Sequence, residues 1–361
     1  MENSGRKDSI CPECFLSKNI EPSEDFSVDA LPTTNESNYI EKAVNQFMGD
    51  SAKAIRIREV SSIEEISDVD DNISTAFSTL PSEFKYRSRC FIAIQNIHGS
   101  DVILFVFFVH EHGVDSLPQN NGIIYVAYLD SVRYIVAPEG IRPGQVYQEI
   151  LAAYLDWARG RGFTKCLLWS CAPEEGDDYI LPGKPPEQRR KKWTEANNAL
   201  LKMYLELGRT CEERGICSKI TTFMETYLVS AKSIRDVPYM VGDIWGLELS
   251  EMFGDDADAD DANDYSNFSE REILRDVAKR LVSKEEAENM LVYHLNSKAG
   301  TVKKTTETSI YEEDDDGIFR DRYSYRDFCD SMNYRCDSLR LAKLSSLGSL
   351  RSLLKGREVS G

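Results

Sequence analysis

The sequence Ile123-Ile124-Tyr125-Val126-Ala127-Tyr128-Leu129-Asp130-Ser131-Val132 decides the fold, because a strand–loop–helix–strand–loop–helix pattern begins with it and continues to Tyr204. Most of its residues are β-branched or aromatic, and turn-forming residues precede it, which is typical of a buried strand. A second strand is predicted over residues 163–170. The pattern predicts an α/β fold with a central mixed β-sheet flanked by helices.

A helix is predicted between these two strands. Pro143 suits its first turn, and Gly160 and Gly162 suit its end. The apolar residues recur with helical spacing on one face, at Val146, Ile150, Leu151, Tyr154, Leu155 and Ala158. Arg142 lies just before the helix, so a guanidinium and the free amides of the first turn lie where an anion can bind. An ordinary strand-to-helix connection explains the same residues, and this turn alone leaves both interpretations open.

The rest of the chain predicts further elements of the same domain. Residues 89–97 and 102–109 are apolar, and the turn sequence His98-Gly99-Ser100-Asp101 between them predicts a hairpin. Residues 102–109 are apolar throughout, which predicts a central strand buried on both faces. We also predict a strand over residues 55–60, an acidic loop over 61–71, and helices over 39–48, 191–207, 270–295 and 326–354. Acidic and disordered insertions are expected near residues 254–268 and 298–317.

Composition limits the classes of function. The 361 residues include 43 Lys and Arg against 61 Asp and Glu, a net charge of −18, which disfavours direct binding to a nucleic-acid backbone. An acidic surface attracts basic partners such as lysine-rich tails, although simple solubility explains the charge equally well. No long apolar run and no apolar N-terminus is present, so we expect neither a membrane span nor a signal peptide. Nine scattered cysteines indicate reduced thiols, as in the cytosol or nucleus.

Two groups of possible metal ligands do not match a metal site. Cys11 and Cys14 form a pair without a companion pair or histidine, whereas a structural zinc ion needs four ligands. His110 and His112 flank Glu111 with a spacing that differs from the HExxH of zinc enzymes. We interpret the two histidines as polar residues at a strand end, and we expect no metal.

The loop after the second strand contains the most unusual residues of the chain. It reads Trp169-Ser170-Cys171-Ala172-Pro173-Glu174-Glu175-Gly176-Asp177-Asp178-Tyr179-Ile180. A tryptophan, a cysteine, several carboxylates and a tyrosine in one loop are not typical of a core, and loops on a rigid sheet commonly carry functional sites. Taken singly, Trp169 and Tyr128 would be better explained as core aromatic residues.

Several segments resemble the catalytic domain of the CREB-binding-protein family of histone acetyltransferases, which includes plant relatives. They are Tyr125-Val126-Ala127-Tyr128-Leu129-Asp130-Ser131-Val132, Val146-Tyr147-Gln148-Glu149-Ile150-Leu151, Glu175-Gly176-Asp177-Asp178-Tyr179-Ile180, Pro185-Pro186-Glu187-Gln188, Gly242-Asp243-Ile244-Trp245 and Ser338-Leu339-Arg340-Leu341-Ala342-Lys343. The resemblance implies one catalytic domain over residues 26–361 with a GNAT-related acetyltransferase core. Residues 1–25 would then be the remnant of a PHD-type zinc finger and a linker.

The resemblance also implies acetyl-CoA as cosubstrate and assigns residues to it. Arg142 matches the family's coenzyme arginine, and the other residues expected at the coenzyme are Leu129, Asp130, Ser131, Pro143, Trp169, Cys171 and Tyr179. Asp130 is equally well explained as a turn residue at the strand end. Tyr128, Trp169, Cys171 and Tyr179 match the wall of a tunnel for the acceptor lysine, where apolar surroundings lower the amine pKa.

Tyr204 is the residue assigned to acid catalysis. Counting back from Ile216 and from residues 222–225 places Tyr204 at the family's general acid, with Met203 where the family has a tryptophan. A phenol of ordinary pKa near 10 is protonated at neutral pH and can donate a proton to a leaving thiolate. Trp169 is the other residue expected at the reacting groups. Cys171 as a covalent nucleophile is disfavoured, because no histidine lies near it in sequence.

The residues expected to bind the protein substrate depart further from the family. Ser88 and Asp327 match two of its substrate contacts, and Asp177 and Tyr128 are also assigned to substrate binding. Val241 and Ser324 stand where the family has carboxylates.

The sequence therefore predicts a nuclear lysine acetyltransferase acting on histone tails or other lysine-rich proteins, with a role in transcription regulation and transcription-factor complexes as further partners. The alternative is a weakly active or inactive acetyl-CoA-binding domain that serves as an adaptor for basic protein tails.

Overall fold

One mixed β-sheet forms the centre of the computed structural model, which describes residues 26–49, 53–77, 79–173, 178–189, 193–253, 268–284, 286–298 and 317–358. Its strands are β1 Ile55–Asp68, β2 Glu83–Ile97, β3 Ser100–His112, β4 Ile123–Ser131, β5 Lys165–Trp169, β6 Cys217–Thr222 and β7 Met290–Leu295. Their order across the sheet is β1-β2-β3-β4-β5-β7-β6. Strands β4 and β5 are parallel, and the other neighbouring pairs are antiparallel, which confirms the predicted mixed sheet.

Helices cover both faces of this sheet. They are α1 Asn35–Met48, α2 Asp71–Ala76, α3 Pro143–Gly160, α4 Trp193–Glu213, α5 Ile244–Phe253, α6 Glu270–Ser283, α7 Arg322–Met332 and α8 Leu339–Glu358. Helix α3 begins at Pro143 and ends at Gly160, as its sequence predicts. Among the described residues, no helix is long and apolar enough to cross a membrane.

The apolar side chains divide into two cores, one on each face of the sheet. Along β4, Ile124 and Val126 join the core that contains α1 and α3, whereas Ile123 and Tyr125 join the core that contains α2, α5 and α6. This alternation follows from the two-residue period of a strand. In β3, residues 102–109 are all buried, which confirms the prediction of a strand covered on both faces.

Three predicted elements are wrong. The helix expected over residues 326–354 is two helices, α7 and α8, because α7 ends at Met332 and the next residue, Asn333, has a left-handed backbone that terminates it. The acidic loop expected over residues 61–71 is mostly strand, because β1 continues to Asp68. As the edge strand, β1 has a partner on one side only, so its outer half tolerates Ser and Glu residues that sequence patterns assign to a loop. The helix expected over residues 270–295 ends at Ser283, and β7 follows it. A short apolar run such as residues 290–295 fits a buried strand and a helical face equally well.

Other predictions concern residues outside the described part of the chain. Cys11, Cys14 and most of both acidic insertions lie there, so their assignments stay predictions. The seven described cysteines are all free thiols.

A buried ionic network joins strands β1, β2 and β3 to helix α1 and to the end of α3. The guanidinium of Arg89 contacts carboxylate oxygens of Glu36, of Glu59 at 2.9 Å and of Glu111 at 2.9 Å. Arg161 reaches Glu111 at 3.0 Å, so three buried carboxylates face two guanidinium groups. Burial raises the pKa of Glu36 to about 7 despite the nearby Arg89, and the two arginines hold the pKa of Glu111 near 2.

The raised pKa of Glu36 predicts a specific dependence of stability on pH. Because the folded-state pKa lies above the ordinary value of 4.5, folding takes up a proton. This stabilisation is complete below pH 4.5 and is lost as the pH rises through 7. In Glu36→Gln the side chain is neutral at every pH. Between pH 5 and pH 8, the free energy of unfolding of the variant should therefore rise relative to that of the wild type by up to about 3 kcal/mol.

Urea unfolding of both proteins at the two pH values measures this gain. Glu41→Gln, on the same helix, is the matched control. Its free energy of unfolding should not rise relative to that of the wild type when the pH is raised. An equal difference between Glu36→Gln and wild type at pH 5 and pH 8 would contradict the assignment.

Candidate active site

The parallel strands β4 and β5 lose their pairing towards their carboxyl ends, and we call the region beyond their last pair the cleft. Their pairing runs from Ile123 with Lys165 to Val126 with Leu168 and then ends. On the other side of β4, the register with β3 shifts between Phe108 and Val109, which leaves Ala127 as an extra residue in β4. Such a bulge bends a strand and redirects the side chains after it. Within the described residues, the backbone of residues 127–131 therefore has no strand partner on the β5 side.

Asp130 holds residues 178–184, which follow β5, against the end of β4. Its carboxylate accepts hydrogen bonds from the amides of Ile180 at 3.1 Å and Leu181 at 2.9 Å. Lys184 pairs with the other oxygen at 2.6 Å, and the Ser131 amide donates to it at 2.8 Å. The side chain of Asp130 is thus fully used inside the chain, and it sets the position of residues 178–184. Any contact of Asp130 or Ser131 with a coenzyme stays a prediction.

Arg142 lies at the start of α3 with its side chain exposed. Gln145 accepts a hydrogen bond from the Arg142 amide at 2.9 Å, which fixes the first helical turn. Among the described residues, no carboxylate pairs with the Arg142 guanidinium. Pro143 and Gly144 follow, and no atom lies within 4 Å of the position that a Cβ atom on Gly144 would take. A cation, helix amides and open space are therefore together at the start of α3, a combination that suits a phosphate group.

Tyr128 and Tyr179 meet edge to face at the bottom of the cleft. Their ring centroids are 6.1 Å apart. The guanidinium carbon of Arg322, from the first turn of α7, lies 5.1 Å from the Tyr128 centroid and 4.7 Å from that of Tyr179. Trp169 is half-buried at the end of β5 and packs against the other core, without ring contact to these two tyrosines. The structure thus brings Tyr128 and Tyr179 together, but it does not bring Trp169 into ring contact with them.

Helix α4 carries Tyr204 to this place. The Asn197 side chain and backbone accept hydrogen bonds from Ser170 at 3.1 and 3.0 Å, which ties α4 to the loop after β5. The Tyr293 hydroxyl of β7 donates to the Tyr204 carbonyl. Gly208 lets α4 approach the sheet closely, because a Cβ atom there would collide with Ile220. The ring of Tyr204 is consequently buried, with 3% of the residue exposed.

The electrostatic surroundings keep the Tyr204 hydroxyl protonated. Burial raises the pKa of Tyr204 far above its ordinary value, and the neighbouring Tyr179, Cys166 and Cys171 add to the effect. Desolvation of its thiol raises the pKa of Cys171 too, although the residue is exposed overall. A thiol nucleophile needs a lowered pKa, so Cys171 does not have the surroundings of one.

A cavity of about 340 Å³ lies beside Tyr128 on the side of α7. The residues that line it are Glu65, Tyr86, Ser88, Phe108, His110, Tyr128, Val241, Arg320, Asp321 and Ser324. Three of the residues compared with the family's substrate side, Ser88, Val241 and Ser324, lie here. Asp327 is exposed on α7 and does not line the cavity, and Asp177 is outside the described residues.

The sequence-based reasoning missed several residues at this site. Glu65 was assigned to a loop, whereas β1 brings it to the cavity, where Arg320 pairs with it at 3.6 Å. Asp321 caps α7 by accepting a hydrogen bond from the Ser324 amide at 2.7 Å. That cap, an aspartate three residues before a serine, was the available signal for where α7 begins and hence for Arg322.

The two histidines lie at the end of β3, as predicted, and both are buried. Burial lowers the pKa of His110 and of His112 to about 3, so both rings are neutral. His110 lines the cavity, and no described residue forms a hydrogen bond with its Nδ1. Across the described part of the chain, no group of three His, Cys, Asp or Glu residues is arranged to hold a metal ion.

One family model and several known proteins are similar to this chain. The KAT3 histone acetyltransferase domain model matches residues 38–321. Histone acetyltransferase HAC1 of Arabidopsis thaliana is 31% identical over 280 residues, 67% of this chain and 16% of that protein. Histone acetyltransferase HAC4 of the same plant is 29% identical over 281 residues, 67% of this chain and 19% of that protein. The probable histone acetyltransferase HAC-like 3 of Oryza sativa subsp. japonica is 28% identical over 333 residues, 81% of this chain.

The chain spans about a quarter or less of the length of these relatives. A similar fold is found in the crystal structure of Rtt109 from Aspergillus fumigatus, with a TM-score of 0.50 and 12% identity over 90% of this chain and 96% of that one. At that identity the likeness concerns the fold alone. Because the family model matches most of the sequence, the chain belongs to the KAT3 family of histone acetyltransferase domains, which confirms its resemblance to the CREB-binding-protein group.

Proposed function

We propose that this domain transfers the acetyl group of acetyl-CoA directly to lysine side chains of histones or other basic proteins, with Tyr204 as general acid. We also propose that it acts in the nucleus and has a role in transcription regulation. The observation that carries it is that the end of β4, the Tyr128–Tyr179 pair and Tyr204 lie together, while Arg142 begins the helix that follows β4.

The cosubstrate would lie along the open edge of β4. Arg142 and the first amides of α3 suit its phosphates, since a guanidinium forms charge-assisted hydrogen bonds with phosphate oxygens. On the side away from β3, the backbone of residues 127–130 has no strand partner among the described residues and would offer amide and carbonyl groups to the amides of the pantetheine arm. The carboxylate of Asp130 acts indirectly, by holding residues 178–184 in place.

The acceptor lysine would enter past Tyr128 and Tyr179. Aromatic walls suit its four-carbon stem, and the low polarity there favours the neutral amine over the ammonium ion. The amine nitrogen attacks the acetyl carbonyl carbon, a C–N bond forms and the C–S bond breaks. The departing sulfur takes the electron pair of the C–S bond and a proton from the Tyr204 hydroxyl, while the proton that the attacking nitrogen loses passes to water, which returns a proton to the tyrosine.

One experiment tests the activity as a whole. Calorimetric titration of the purified chain with acetyl-CoA should give one binding site, and incubation with core histones should then give acetylated lysines. Binding without transfer would favour the adaptor alternative, which Arg322 between Tyr128 and Tyr179 also favours. Failure to bind acetyl-CoA would contradict both functions.

Arg142→Ala should separate coenzyme binding from chemistry. Loss of charge-assisted phosphate contacts is worth about 1.5 to 3 kcal/mol, so the Kd for acetyl-CoA should rise roughly 10- to 100-fold. The kcat at saturating acetyl-CoA should change much less, because Arg142 is far from the reacting carbon in this assignment. Arg142→Lys keeps the charge but loses the planar fork, so its Kd should be intermediate. An unchanged Kd in Arg142→Ala would refute the role.

A further inference from the structure

The guanidinium of Arg322 is enclosed by aromatic rings, and no acidic side chain of the described residues pairs with it. Besides Tyr128 and Tyr179, the ring of Tyr323 lies 4.3 Å from its central carbon, and the Tyr323 hydroxyl accepts a hydrogen bond from it at 2.6 Å. A cation over aromatic faces is attracted by their negative charge, and the attraction strengthens when the pair is desolvated.

Arg322 lies at a position on α7 that disfavours a positive charge. It is the first residue of the helix, directly after the cap Asp321. A cation is disfavoured at a helix N-terminus, where the helix dipole is positive. Its Nε is buried and has no hydrogen-bond partner among the described residues. The rings therefore hold the guanidinium in a place that the helix itself disfavours and that leaves one donor unused.

We propose that Arg322 is a specificity-determining residue of the acceptor site: in the free protein its guanidinium occupies the place between Tyr128 and Tyr179 that the head of an acceptor lysine must take. This inference rests on the proposed function, because that function makes the two tyrosines the walls of the lysine channel. An arginine remains charged and cannot accept an acetyl group here, so it acts as a competitor inside the chain.

The neighbouring cavity offers a way to displace it. Asp321 and Ser324, which line the cavity, lie in the same helical turn as Arg322. A protein substrate bound in the cavity therefore contacts the turn that carries the arginine. Acceptors that bind only through one lysine must displace Arg322 unaided, whereas an acceptor with further contacts in the cavity compensates for the lost ring contacts.

The consequence is a high KM for simple acceptors together with an unaffected coenzyme site. In Arg322→Ala the competitor is gone, so the KM for a short lysine peptide should fall about 10-fold, the effect expected for desolvated cation–π contacts. The Kd for acetyl-CoA should stay within a factor of two to three of the wild type, and Arg322→Lys, which keeps a cation, should retain the high KM. Arg326→Ala removes the same charge one helical turn later, and it controls for general attraction between an acidic protein and a basic peptide.

A binding measurement keeps this inference separate from catalysis. Calorimetric titration of the same lysine peptide into protein saturated with coenzyme A should show about 10-fold tighter binding to Arg322→Ala than to wild type, whether or not acetyl transfer occurs. Transfer absent from every variant would contradict the proposed function, but not the competition. Equal peptide affinity in wild type and Arg322→Ala, or an equal gain in Arg326→Ala, would overturn the role of Arg322. A lower kcat in Arg322→Ala with a pH profile moved upwards would also overturn it, because Arg322 would then act by lowering the pKa of the lysine.

Discussion

Tyr204→Phe should lower kcat by about 100- to 10,000-fold while the affinity for acetyl-CoA changes little. The substitution removes the hydroxyl that would protonate the leaving sulfur but keeps the buried ring that packs α4 against the core. General acid catalysis is worth this range in rate. The backbone carbonyl of Tyr204, which accepts from Tyr293, is also unchanged. Single-turnover rates at saturating acetyl-CoA would measure the loss without interference from product release.

The matched control for this substitution is Tyr147→Phe. Tyr147 is a buried tyrosine of α3 whose hydroxyl donates to the Val132 carbonyl at 3.0 Å. Its loss should leave kcat within a few-fold of the wild type. If Tyr204→Phe retains more than about a third of wild-type turnover, well above the hundredfold loss expected, the assignment of the acid is wrong. Tyr179, which lies close enough to shift the Tyr204 pKa, would then be the next candidate.

The elements that could be predicted from the sequence are those with a long and unambiguous apolar period. Residues 102–109 are apolar at every position, and residues 143–160 combine a one-faced pattern with Pro at the start and Gly at the end. Strand β7 could not be predicted, because a mostly apolar run of six residues does not distinguish a buried strand from a helical face. Residues 61–68 of β1 could not be predicted as a strand because they are largely polar, and an edge strand does not need apolar residues.

The candidate site shows a similar division. Tyr128, Asp130 and Tyr179 lie in segments whose motifs could be recognised, and the structure places all three around the end of β4. Arg322, Glu65 and His110 reach the same site from α7, β1 and β3, and no local pattern reports such long-range contacts. A cation enclosed by two tyrosines from other parts of the chain depends on tertiary structure alone.

Arg89→Met should cause the largest loss of stability among single substitutions in the described core. The side chain is 9% exposed and contacts Glu36, Glu59 and Glu111, whose side chains are at most 4% exposed. Removing one partner from a buried ion pair leaves uncompensated charge and costs about 3 to 5 kcal/mol. Arg161 remains near Glu111, but Glu59 loses its contact with Arg89. Unfolding in urea should therefore begin at much lower denaturant concentration than in the wild type.

Arg56→Met provides the comparison for Arg89→Met, because Arg56 also contacts two carboxylates, at 3.1 and 3.4 Å, but its side chain is 40% exposed. Water screens such a pair, so its loss should cost no more than about 1 kcal/mol. The deficit of Arg89→Met should also shrink on acidification. Without the guanidinium, the buried carboxylates take up protons at higher pH than in the wild type, so lowering the pH from 7 to 5 stabilises the variant relative to it. A deficit below about 1 kcal/mol, or one that grows on acidification, would mean that the buried network does not hold the sheet to α1 and α3.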